Sequence, residues 1–210
     1  ETVKALEDAL VFLKKTAARG GTILLKKNKK QASQIVETAA ITAGMPYINK
    51  RWLGGTLTNF PSIASQIRKL KDLKRKQEKG ELGKFTKLEQ LRVAEQIKLL
   101  EDKIGGIQEM NRVPDVLFIF DVKKDKTALQ EALRRGVKVV AVCDSNVNPT
   151  DIDYPIPAND DAVKAIQMMA DIVAGAINDG KKEWESNRAR LGSTLVASPQ
   201  ARSFAQLKNN

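Results

Sequence analysis

Five short apolar runs set between helical stretches restrict this chain more than any other feature. TILL (22–25), MPYIN (45–49), VLFIF (116–120), KVVAVC (138–143) and YPIPA (154–158) have the length and composition of strands. Ahead of the first, Val3, Leu6, Leu10, Leu13 and Ala17 recur at helical spacing between Thr2 and Ala18 and stop at Arg19-Gly20-Gly21. QASQIVETAAITAG repeats the helical pattern up to Gly44, KTALQEALRRG lies between the third and fourth strands, and Asn159-Asp160-Asp161 caps a long helix from Ala162. Strands alternating with helices predict a doubly wound α/β body, with a mostly parallel sheet covered on both faces. Pro155 and Pro157 bar the last strand from the sheet centre.

One stretch breaks the alternation. From Pro61 to Met110 no strand pattern occurs, which is too long for an ordinary crossover. Ile63, Ile67, Leu70 and Leu73 form one helical stripe, GELGKF (80–85) supplies a reversal, and Leu88, Leu91, Ala94, Ile97, Leu100, Ile104 and Ile107 form a second. The expectation is an inserted antiparallel helical hairpin, a coiled-coil arm over 61–110, on a body built from 1–60 and 111–185. Residues 186–210 are expected to form a flexible basic extension.

Charge narrows the partner. Lys and Arg number 36 against 25 Asp and Glu, a net +11 that favours a polyanion. One cysteine excludes an internal disulfide, and the absence of histidine removes imidazole acid/base chemistry and the usual zinc site. No apolar run approaches a membrane span, and the opening ETVKALEDALVFL is too acidic and too helix-patterned for a signal peptide, so a soluble chain is expected. A start without methionine fits a piece of something longer.

Neither G-x-G-x-x-G nor G-x-x-x-x-G-K-[ST] occurs, so a nucleotide loop lacks its main support. Two other segments suit a sugar-phosphate backbone. In KRWLGGTLTN (50–59), Lys50 and Arg51 supply cations, Trp52 a stacking-competent indole, and Thr56 and Asn59 polar donors next to a helix start. The bland alternative buries Trp52 and Leu53 against the body while Gly54-Gly55 allow close backbone approach. In KKNKK, Lys26, Lys27, Lys29 and Lys30 follow the first strand at the carboxyl edge of the sheet, where α/β proteins place their ligands. Four cations in five residues repel one another unless anions neutralise them, and the alternative is a solvated loop. On the arm, seven of the twelve residues from Arg68 to Lys79 are basic, Lys74 and Arg75 among them, which suits either RNA or a solvated helix face. Asp121 and Asp144 end neighbouring strands and could hold magnesium, though such residues commonly cap the next turn and no activated nucleophile accompanies them. Cys143 is read as a buried small hydrophobe.

KKQA with its following helix, GMPYINKRWLGGTLTNFPSI, and PDVLFIFDVKKDKTALQEALRRGVKVVAVCDSNVNPTDIDYPIPANDDA resemble, in order and spacing, the bacterial and organellar second small-subunit ribosomal protein family over about residues 1–180. Pro114, Asp121, Asp125, Glu131 and Gly136-Val137 fall where that family's pattern places them. The resemblance implies a flavodoxin-like parallel sheet with a protruding coiled-coil arm. It further implies a non-enzymatic constituent of the small subunit, in a bacterial cytoplasm or an organelle matrix or stroma, between head and body. The implied partners are small-subunit ribosomal RNA and neighbouring ribosomal proteins, in bacteria including the large first one. No DNA, membrane, cofactor or metal is expected for this chain. Where relatives carry a glycine-containing turn after the first strand, this chain has Lys26-Lys27-Asn28, and the histidine-bearing segment that usually opens the family is not in it. The RNA-facing set is therefore Lys26, Lys27, Lys29, Lys30, Lys50, Arg51, Trp52, Thr56, Asn59, Arg68, Lys74 and Arg75. A nucleotide- or magnesium-binding enzyme on the same body, and a protein-only scaffold, are the competing classes.

Overall fold

The computed structural model describes residues 2–28, 30–159 and 162–196. Five strands, β1 (Ile23–Lys26), β2 (Tyr47–Ile48), β3 (Val116–Ile119), β4 (Lys138–Cys143) and β5 (Tyr154–Pro157), form one sheet in the order β2-β1-β3-β4-β5. Every pairing is parallel, with Leu24 opposite Leu117 and Val140 opposite Tyr154 fixing the register. This order reverses direction between β1 and β3, so the carboxyl ends of those two strands flank the crevice where such folds place their ligands. β5 lies at an edge, as its prolines require.

Because side chains alternate along a strand, the sheet feeds two cores. Ile23, Leu25, Phe118, Val140 and Ile156 point to one face, which α1 (Thr2–Ala17), α2 (Lys30–Ala43) and α6 (Val163–Val196) cover with Leu13, Val36 and Val173. Leu24, Leu117, Ile119, Val139 and Ala141 point to the other, against α5 (Lys126–Arg135) and the base of the arm. Gly180 sets how closely α6 can approach α1, because a Cβ there would run into the Lys14 carbonyl oxygen and lie 2.8 Å from the Ala17 Cβ. Alanine normally improves a helix over glycine by about 1 kcal/mol. Here overpacking should outweigh that gain, and Gly180→Ala is expected to lower the unfolding free energy by about 1–3 kcal/mol in urea titration; a stabilised variant would show that the two helices are free to separate.

The arm consists of α3 (Phe60–Glu78), with Pro61 in its first turn, and α4 (Lys87–Ile104). Gly80, at φ 69°, ends α3 and leads into a 3-10 turn, and Thr86 starts α4 with a reciprocal capping box to Glu89. Lys74 meets Glu101 at 2.6 Å and Lys71 meets Glu109 at 3.2 Å, so the helices run antiparallel. Ile63, Ile67 and Leu70 are buried as expected, as are Ile97, Ile104 and Ile107. Towards the tip the expected stripe is off by a residue or two. Leu100 packs inward as expected and Val93 joins it, whereas Leu88 and Leu91 are more than half exposed and Ala94 also faces out. The 3-4 spacing that reaches Ile97 from Val93 cannot also place Leu88 and Leu91 on the seam. A second difference lies at the C-terminal end. α6 continues as helix to Val196, through the boundary expected at residue 185.

Candidate nucleic-acid interface

The loop from Asn49 to Asn59 leaves β2 and lies against α5, where a single carboxylate organises it. Glu131 Oε1 accepts from Trp52 Nε1 at 3.1 Å and from the Gly55 amide at 2.7 Å. Its Oε2 accepts from the amides of Leu57 (2.9 Å) and Thr58 (3.2 Å) and from the Thr58 hydroxyl (3.2 Å). Burial pushes the Glu131 carboxyl up, but the donors from Leu57, Gly55, Trp52 and Thr58 together hold it below its ordinary value. The glycine pair is needed where Gly55 takes φ 90° to aim its amide at Glu131.

This arrangement turns two of the expected RNA-facing side chains inward. Trp52 is 7% exposed and Thr56 fully buried, the Thr56 hydroxyl donating to the Leu53 carbonyl at 2.6 Å. The Trp52 donor goes to Glu131 of α5, and the Thr56 donor stays within the loop. Arg51 and Asn59 are exposed, and Asn59 precedes α3 without a side-chain cap bond.

The lysine turn differs more. Lys26 is the last residue of β1 rather than part of a solvated loop, and both Lys26 and Lys27 are fully buried. Their neutralising anions are internal. Lys26 Nζ lies 3.2 Å from Asp125 Oδ1 and donates to the Lys50 carbonyl at 2.7 Å, while Lys27 Nζ lies 3.7 Å from Asp121. Asp121 also accepts from the Lys124 amide at 3.0 Å and has the Lys124 ammonium at 3.7 Å. Burial lowers the Lys26 pKa against the pull of Asp125, and burial raises that of Asp125 against the pull of Lys26. Among the described residues neither Asp125 oxygen receives a well-aligned hydrogen bond, so its contact with Lys26 is mainly Coulombic. The crevice at the β1/β3 switch point is thus filled by two ion pairs of the chain's own. Lys29 lies outside the described residues, and Lys30 is described only as the first helical residue of α2.

The two strand-end acids go separate ways. Asp121 serves Lys27 and Lys124, and Asp144 accepts from the Ser145 amide at 2.7 Å. Among the described residues no group of three or more Cys, Asp or Glu is placed to hold a metal ion. Cys143 is buried, which pushes its thiol up.

On the arm, the expected cations divide. Lys74 is half-buried on Glu101 and Gln108, Arg75 pairs with Asp72 at 3.0 Å, and Lys50 reaches Asp102 at 3.9 Å from the base of the arm. Arg68 is exposed and, like Arg51, Lys69, Lys76 and Lys79, makes no ion pair among the described residues. At 100° per residue, Arg68, Lys69, Lys76 and Lys79 fall on the side of α3 opposite Ile63, Ile67 and Leu70. The sequence pattern missed Lys123, Lys124 and Lys126, three exposed lysines after β3 at the same carboxyl edge as KKNKK. The run DVKKDK carried the signal, masked by its two aspartates.

A family model described as ribosomal protein S2 matches residues 1–180. The small ribosomal subunit protein uS2 of Aliarcobacter butzleri strain RM4018 is 48% identical over 165 residues, covering 79% of this chain and 62% of that protein. Its counterpart in Acidothermus cellulolyticus is 40% identical over 193 residues, covering 91% of this chain and 70% of that protein.

Proposed function

The chain belongs to the ribosomal protein S2 family, and on that premise we propose that it is a structural constituent of the small ribosomal subunit, holding ribosomal RNA between head and body. The observation that carries the RNA contact is the outer face of α3, where Arg68, Lys69, Lys76 and Lys79 are exposed without a carboxylate partner among the described residues. Unpaired surface cations on one helix face suit successive phosphates, which release counterions when neutralised. Arg51 and Lys50 extend the surface to the base of the arm, with Lys74, Arg75 and Asn59 at its margin. Lys26, Lys27, Trp52 and Thr56 contribute from inside, by fixing the shape of the loops that carry the outer cations. Neighbouring small-subunit proteins, in bacteria the large first one among them, complete the set of partners. No helix of the described residues is long and apolar enough to cross a membrane.

Binding of the purified chain to small-subunit ribosomal RNA, titrated across potassium chloride concentrations, tests this reading. The variant Arg68→Gln/Lys69→Gln/Lys76→Gln/Lys79→Gln should bind more weakly and show a salt slope shallower by up to about 1 for each phosphate that is no longer neutralised. An unchanged slope would remove α3 from the RNA surface.

A further inference from the structure

We infer that the turn between β3 and α5 forms a second phosphate-binding surface for the same RNA, with Lys123 and Lys126, beside Arg51, as the residues that meet it. The inference rests on the reading of the chain as an RNA-holding protein.

In the sequence the turn Asp121-Val122-Lys123-Lys124-Asp125-Lys126 is nearly balanced in charge. The fold unbalances it. Asp121 and Asp125 are 2% exposed and directed onto Lys27 and Lys26, while Lys123, Lys124 and Lys126 face solvent. Lys26 and Lys27, at the end of β1, therefore act by taking in the acids of the neighbouring turn, and what remains outside is positive. A buried carboxylate paired at close range leaves mainly a weak dipole field for an approaching phosphate, whereas an unpaired ammonium leaves a net charge whose attraction is screened by water and salt but not cancelled.

The turn is also joined to the loop that carries Arg51. One ammonium, that of Lys26, touches Asp125 in the first and the Lys50 carbonyl in the second. Glu131 of α5 holds Trp52, Gly55, Leu57 and Thr58 of the same loop. Cations on two turns tied through buried groups are presented in a fixed spacing, which suits a backbone of regularly placed phosphates better than it suits a small anion. Lys124 is shared with Asp121 at 3.7 Å, which leaves Lys123 and Lys126 as the cations without an internal partner among the described residues.

The test compares Lys123→Gln/Lys126→Gln with Arg68→Gln/Lys69→Gln in the full chain, using small-subunit ribosomal RNA over a range of potassium chloride. All four side chains are exposed, so both variants should melt with the parent. The inference expects each variant to bind more weakly, with a salt slope shallower by about 1 to 2. A slope lowered by the arm variant but not by the turn variant would overturn the inference and leave the RNA reading standing. Slopes unchanged in both would overturn the RNA reading as well. An unchanged slope together with poorer incorporation of the turn variant into small subunits would assign the turn to a protein neighbour, and the inference would again fail.

Discussion

Lys26→Met is expected to lower the unfolding free energy by about 3–5 kcal/mol, because it leaves the Asp125 carboxylate buried without its counter-ion. A surface lysine would give close to nothing, so urea titration separates the two placements of this residue clearly. Replacing both partners, as Lys26→Met/Asp125→Leu, should return most of the loss, since two desolvated charges and their attraction disappear together. The pH dependence has a definite sign. Burial holds Asp125 above its ordinary value, so its contribution is complete below the usual carboxylate range and is lost as the pH rises through the folded value. Without Lys26 that value rises further, and the single variant should be closest to the parent in mild acid and weakest near neutrality. A Lys26→Met chain as stable as the parent at about pH 7 would mean that the lysine reaches solvent after all.

The second large effect belongs to Glu131. Glu131→Ala strips acceptors from the Trp52 indole, three backbone amides and the Thr58 hydroxyl, and the loss should be about 3–5 kcal/mol, with Trp52 emission shifted to the red. Glu131→Gln keeps one acceptor oxygen and the shape, so about half that loss is expected. Since the folded carboxyl lies below its ordinary value, the stability it provides is present above the usual carboxylate range and fades as the pH falls through the folded value. The gap between parent and Glu131→Ala should therefore narrow in acid. A constant gap from about pH 7 to about pH 3 would assign the loss to packing rather than to the charged acceptor.

The alternation of apolar runs and helical stretches is enough to read the doubly wound body, and the strand-free stretch from Pro61 to Met110 enough to read the hairpin. Edge placement of β5 follows from two prolines, because proline has no N–H to donate to a neighbouring strand. The strand order is not legible from pattern alone, since nothing local records which strands become neighbours. The same limit applies to the site. Lys26 lies 99 residues from its partner Asp125, and Trp52 lies 79 residues from Glu131, so whether a cation or an indole turns inward depends on pairings that no short window contains. Composition points to a polyanion but assigns the charge to KKNKK, where two lysines are used internally, and overlooks DVKKDK, whose acids are hidden. Leu88 and Leu91 mislead for a simpler reason. Near a solvated tip the outer face of a helix tolerates leucine, and the stripe drifts off the seam.

Whether the chain resides on small subunits through RNA decides its function most directly. Sedimentation of the tagged protein from its native lysate, with and without ribonuclease, measures this in one experiment. Comigration with small ribosomal subunits, abolished when the RNA is digested, is the expected result. A chain that stays at the top of the gradient in both conditions would contradict it.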